Sequence, residues 1–152
     1  MVMEHCAISL CGISKLSFLE VGYTVNHYNY VRFLRIAIIP FIHQYHGNGH
    51  YLLWIDLESA HYANNTLTVL WQQGTCFALK DANPSCVALL RPVEDFWPAL
   101  KKAIYDEGRE ATSIRALKRR NKEKAQQIPL PRILCLFNMV NEQLAVCTQE
   151  GY

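Results

Sequence analysis

No apolar run in this 152-residue sequence approaches the ~20 residues needed to cross a bilayer. The longest, Leu34 to Ile42, is interrupted by Arg35 and Pro40. Charge is scarce: 18% of residues are charged and the net value is only +2, too small to argue for or against a polyanionic partner. Gly and Pro together number 13, which excludes a collagen-like repeat, and the 51% apolar content excludes a disordered tail. A coiled coil is excluded as well. The six cysteines, at 6, 11, 76, 86, 135 and 147, contain no CxxC pair and no regular framework. A secretory signal is not expected either, because Glu4 sits where a positive n-region should be. The thiols therefore read as reduced and mostly buried. Asn64-Asn65-Thr66 fits a glycosylation acceptor but carries no weight without secretion. There is no internal repeat and no linker long enough to mark a second domain. No Asp precedes Asp56.

What is present reads as a mixed α/β chain. Residues 3–9 and 15–21 are short β-compatible segments, with Cys11-Gly12-Ile13-Ser14 as the turn of an antiparallel pair. Asn26 is a good N-cap for a helix running to about Tyr45, with Val31, Leu34, Ile38, Phe41 and Ile42 towards a core. Pro40 should kink that helix or divide it in two. His43, His46 and His50 flank a GNG turn without a fourth metal ligand nearby, and read as loop histidines. The run YLLWIDL at 51–57 suits a strand buried on both faces, closing on Asp56. A short helix from about Asn65 to Gln73 follows, with Gly74 as its C′ residue, then a short strand at 75–80 and a proline-containing loop. From Pro92 a helix carries Val93, Phe96, Trp97, Leu100 and Ile104 on one face. Pro98 would lie in its second turn, so a bend or a restart near Trp97 is expected. The remainder, 111–150, reads as two helices broken by Pro129 and Pro131.

Two carboxylates stand out by position. Asp56 ends a hydrophobic strand, where open α/β sheets place their sites, and Glu94 lies in the first turn of the Pro92 helix. By spacing alone both are ordinary. The surrounding words, WIDLESAHYA and NPSCVALLRPVEDFWPALKKAIY, resemble the DDE cut-and-paste transposases of the mariner-like superfamily and their bacterial insertion-sequence relatives. In that family a strand ends in an Asp followed by a short stretch containing His, matched by Asp56 and His61. A proline-containing loop then leads into a Pro-hydrophobic-Glu-x-x-Trp-x-x-Leu-Lys helix, matched by Pro92, Val93, Glu94, Trp97, Leu100 and Lys101. Thirty-seven residues separate the two acids, within the family's habit. MEHCAIS, SKLSFLE and ALKRRNKEKAQQIP also look like family segments, so the resemblance covers most of the chain.

The resemblance implies an α/β, RNase H-like fold. By that resemblance the fold would be truncated here, lacking the first, central strand and carrying extra C-terminal helices. Residues 1–110 would be a partial RNase H-like DDE catalytic domain and 111–152 a C-terminal helical extension of it. Three family carboxylates hold two Mg²⁺ (or Mn²⁺) ions for DNA cleavage and strand transfer. Asp56 would be the second carboxylate and Glu94 the third. The first should be an Asp on the strand upstream, yet the only acids before Asp56 are Glu4 and Glu20. The helix-turn-helix region that reads transposon ends has no counterpart either, so the chain matches the C-terminal part of such an enzyme and is expected to be inactive alone. His61 could approach the substrate strand. Ten of the fifteen basic residues lie between Lys101 and Arg132, and Arg115, Lys118, Arg119, Lys122 and Lys124 could face phosphate backbone; an ordinary solvated helix face is the alternative. Phe96 and Trp97 read as core. The implied partners are transposon-end and target DNA and a second copy of the chain, with no membrane. The implied location is the nucleus in a eukaryote and the cytoplasm otherwise. The alternative is a catalytically dead DNA-binding or interaction remnant of a transposable element.

Overall fold

A computed structural model describes residues 3–20, 22–83, 91–108 and 110–149, with 107 and 141–149 as backbone only. Residues 84–90, including the expected proline loop's centre and Cys86, lie outside the described residues. The chain is mixed helix and strand and divides into two compact units, one of residues 1–6 and 14–85, the other of 7–13 and 86–152.

In the first unit, β1 (Glu4–His5) pairs antiparallel with β4 (Ser17–Phe18), Glu4 opposite Phe18 and His5 opposite Ser17. Asn26 then caps α1 (His27–Phe33): its side chain accepts a 3.0 Å bond from the Asn29 amide. The helical run continues through a π-turn, Leu34–Ile38, into α2 (Ile39–His46). Pro40 neither ends the run nor divides it into two helices. Its missing N–H and its ring both disturb the ladder one turn back. The chain answers by widening that turn, so that the Ile39 amide reaches the Leu34 carbonyl five residues away. Along the run Tyr30, Phe33, Leu34, Ala37, Ile38, Ile39, Phe41 and Ile42 are buried, and Val31 is left half-buried.

The apolar run at 51–57 departs from expectation. It meets the 75–80 segment at one parallel bridge, Leu53 to Phe77, secured by Leu53 N–H to Cys76 O (2.8 Å) and Ala78 N–H to Leu53 O (3.0 Å). With that single bridge, only Ile55 of the run is fully buried and Leu52 is exposed; it is not a strand covered on both faces. After it come a 3₁₀ turn, Ser59–Tyr62, and α3 (Asn64–Gln72), which packs on α1. Gly74 ends α3 as expected: at φ +62° it is the left-handed C′ residue, with Gly74 N–H to Trp71 O and Thr75 N–H to Leu70 O completing a Schellman motif. The Thr66 hydroxyl, buried, donates to Ala60 O at 2.7 Å and pins α3 to the 3₁₀ turn.

In the second unit, β2 (Ile8–Ser9) and β3 (Gly12–Ile13) form a tight hairpin around Leu10-Cys11, with Gly12 at φ +128°. The turn thus falls two positions earlier than the expected Cys11-Gly12-Ile13-Ser14 turn. Next comes α4 (Pro92–Ile104), with Pro92 in its first turn. It runs through Pro98 without the expected restart. Pro98 and Glu94 are both exposed, so the Glu94 carbonyl that loses its partner can turn to water. Phe96, Leu100 and Ile104 are buried against α5 (Ile114–Gln127) and α6 (Leu130–Gln149), as the spacing required. Ser113 caps α5 through a bond from Ala116 N–H, and Pro131 sits inside the first turn of α6. Among the described residues no helix is long and apolar enough to cross a membrane.

The cysteines overturn one expectation. Of the four whose side chains are described, Cys11, Cys76 and Cys135 are exposed and only Cys6 is largely covered; all four are free. Short strands and a turn leave little interior at positions 11 and 76. Burial pushes the Cys6 thiol up to about 12, with Glu4 adding to the rise.

Candidate functional site

Asp56 stands immediately beyond the bridged segment, on backbone held by a buried amide. Asn83 accepts from Trp54 Nε1–H (2.8 Å) and donates through Nδ2 to Ile55 O (2.6 Å) and to the Tyr62 hydroxyl (2.8 Å). Tyr62 in turn donates to Ala78 O at 3.0 Å. Asn83 therefore ties the residues before Asp56 to the 3₁₀ turn after it, and Tyr62 carries the tie on to the neighbouring extended segment.

Asp56 itself is half-exposed, and its Oδ1 accepts the Glu58 amide at 3.0 Å, which turns the chain into the 3₁₀ segment. His61 N–H bonds to Glu58 O at 3.0 Å, the turn that brings residue 61 back over residue 58. The His61 ring is 5% exposed and directs Nδ1 at Asp56 Oδ1, close enough for an ion pair when the ring is protonated, though without hydrogen-bond geometry. Asp56, Glu58 and His61 each offer one ligand atom, and these atoms lie within 4.8 Å of one another.

Aromatic rings wall the buried side. Tyr30 lies on His61 with ring centroids 3.8 Å apart, and His5 stacks on Phe33 at 4.3 Å with its edge towards Tyr30. Burial, reinforced by the nearby His61 and opposed by Asp56, brings His5 down to about 4. Burial and the Asp56 and Tyr62 charges raise the Tyr30 hydroxyl well above the usual range, so it stays protonated. The pocket of side chains thus offers carboxylate oxygens towards solvent and an imidazole from the interior.

Of the residues singled out in the sequence, Asp56 and His61 meet in the first unit. Glu94 is exposed in the first turn of α4, in the second unit. The five basic candidates all fall on α5: Arg115, Arg119 and Lys122 are exposed, Lys118 and Lys124 half-buried. Arg119 faces Glu123 at 3.7 Å, one turn on. Arg115, Lys118, Arg119 and Lys122 share a side by helical spacing, whereas Lys124 projects away from it. Phe96 is fully buried and Trp97 half-buried, their rings 5.3 Å apart, consistent with a packing role. The histidine tract closes α2: His46 packs its ring edge against Phe41, and Gly49 at φ +80° makes the turn. Sequence reasoning passed over Glu58 and Asn83. Glu58 was findable from the Asp-x-Glu-x-x-His spacing, since a 3₁₀ turn aligns positions three apart. Nothing local marks Asn83, whose partners lie 21 to 29 residues away.

No protein-family model matches the chain, and no curated protein matches it.

Proposed function

We propose that the chain is the C-terminal part of an RNase H-like DDE transposase catalytic domain of the mariner-like kind, lacking the first strand, whose intact relatives cut and rejoin DNA. The observation that carries this reading is the pair of motifs WIDLESAHYA and PVEDFWPALK, with Asp56 presented half-exposed beyond a bridge-paired extended segment. The donor chemistry fits a divalent ion: Asp56 and Glu58 supply hard oxygens at a solvent-open point. In the family that the motifs resemble, the carboxylates matched by Asp56 and Glu94 hold Mg²⁺ or Mn²⁺, which when bound activates the attacking oxygen and stabilises the leaving one. The chain's own contribution at Asp56 is positional. Asn83 fixes the backbone, and His61 fixes the carboxylate's direction from the buried side. The α5 cations would neutralise backbone phosphates and make DNA binding weaken with salt. Within these residues the family's first carboxylate has no counterpart, so the chain by itself supplies two of three ligands and is expected not to cut.

The test is purified chain with Mn²⁺ and a labelled duplex. No nicking above the metal-free control is expected. Nicking that disappears in both Asp56→Asn and Glu94→Gln would show instead that the chain is an enzyme in its own right. The second reading, a DNA-binding remnant without catalytic function, is favoured by the basic side of α5 alone. It is distinguished by salt-sensitive duplex binding that is indifferent to divalent ions and to Asp56→Asn.

A further inference from the structure

We propose that the groove between α1 and α3 takes one unpaired nucleotide of a single nucleic-acid strand, its base on Tyr28 and its phosphate on Arg35. The inference stands apart from the reading of Asp56 as a cation ligand, because it uses neither Asp56 nor the α5 cations. It begins from two helix faces that pack together. On α3, Asn65, Val69 and Gln72 recur at helical spacing; on α1 and the turn after it, Tyr28, Val31 and Arg35 do the same. The two faces border a solvent-open groove of about 290 Å³. Val69 is buried and Val31 half-buried, so they make its apolar bottom, whereas Tyr28, Arg35, Asn65 and Gln72 stand exposed along its rim.

Tyr28 is 70% exposed, and the His27 ring lies beside it with centroids 4.0 Å apart. The tyrosine is thus steadied by a neighbouring ring while much of its area stays open to a planar partner. An aromatic platform of this kind stacks on any base, since every base has a π-face. Arg35 supplies the cation of the same groove, and it lies inside the π-turn, a rare widening that recurs at functional sites. None of the lining residues is acidic, so Arg35 and His27 give the groove a field that favours phosphate over a cationic ligand. The Asn65 and Gln72 amides on the α3 side carry both donors and acceptors, the groups that pair with the edges of an unpaired base. A volume of about 290 Å³ lies at the small end of ligand pockets and suits one nucleotide. Because the groove is open, a strand can continue beyond it on either side.

The experiment is photo-crosslinking of the full chain to an oligothymidylate of about eight nucleotides carrying one 5-iodouracil, with the attached residue identified by mass spectrometry. Attachment at Tyr28 or His27 is expected. Unlabelled oligothymidylate should compete it away; the same strand paired with oligodeoxyadenylate, or thymidine monophosphate at equal concentration, should not. Tyr28 and Arg35 are exposed, so their variants keep the fold. By fluorescence anisotropy Tyr28→Ala should weaken strand binding at least about fivefold, while Tyr28→Phe should bind like the parent. Arg35→Gln should reduce the salt slope of binding by about 0.7, the loss of one single-strand phosphate contact. Equal competition by the duplex or by the monophosphate would overturn single-strand recognition. Attachment confined to α5, or Tyr28→Ala binding like the parent, would overturn the groove and leave the basic side of α5 as the DNA contact, so the transposase reading would survive that result.

Discussion

Asn83 is the residue on which the candidate site leans most. Its amide makes three hydrogen bonds, to Trp54, Ile55 and Tyr62, at a position that is 4% exposed. Removing it takes the partner from one donor, Trp54 Nε1–H, and two acceptors, Ile55 O and the Tyr62 oxygen, each costing about 1–3 kcal/mol where it stays unmatched. Asn83→Ala should therefore lower stability by about 2–4 kcal/mol, read as a fall in Tm on the order of 5–15 °C. A change within 1–2 °C, at roughly the noise of such melts, would mean the network is replaced by water. His5 makes a second test at the same scale. Its folded value, about 4, lies below the ordinary 6.5, so the unfolded chain takes up a proton first. Stability should hold above pH 6.5 and fall as the pH drops from there towards 4. In His5→Phe, which keeps the stack on Phe33, that slope should flatten; an unchanged slope would assign the acid sensitivity to other groups. Neither residue announces itself in the sequence. His5 reads as one polar position in a short strand, and Asn83 as a loop residue before Pro84, because burial and partners come from segments far along the chain.

At the scale of elements, what the sequence made legible was whatever local chemistry decides. Asn26 caps α1, Gly74 closes α3, Pro92 opens α4, and the apolar spacing of Phe96, Leu100 and Ile104 names the buried face. What it hid were the outcomes of competition. Pro40 could have stopped the helix, yet the surrounding apolar residues keep it running and the strain goes into a π-turn. The run YLLWIDL is apolar enough for a central strand, but its pairing is set by one bridge to Phe77, which no local pattern specifies. Pro98 gives the sharpest test at this scale. It lies exposed inside an unbroken helix, so Pro98→Ala restores a donor for the Glu94 carbonyl and should stabilise the chain by about 1–3 kcal/mol in thermal melts. A neutral or destabilising result would place the true start of α4 beyond Pro98. In α5, Arg115→Ala and Lys122→Ala should each weaken duplex binding uniformly across sequences and reduce the salt slope by about one. Loss for one sequence alone would point to base contacts instead.

For the whole molecule, the compact units differ in what they bring. The first holds Asp56, Glu58 and His61 on a frame tied by Asn83; the second holds Glu94 at the head of α4 and the basic residues of α5. The motif words around Asp56 and Glu94 are contiguous in the sequence, whereas the place of Glu58 beside Asp56 follows from the turn after the bridged segment. The central claim is that Asp56 holds a divalent ion that meets DNA phosphate. Its most direct test is the affinity of the full chain for a fluorescent duplex at constant ionic strength, with and without Mn²⁺, measured for the parent and for Asp56→Asn. Mn²⁺ should tighten binding several-fold in the parent, on the order of 1 kcal/mol, and leave Asp56→Asn unchanged. Equal affinity with and without Mn²⁺, or the same enhancement in Asp56→Asn, would contradict it.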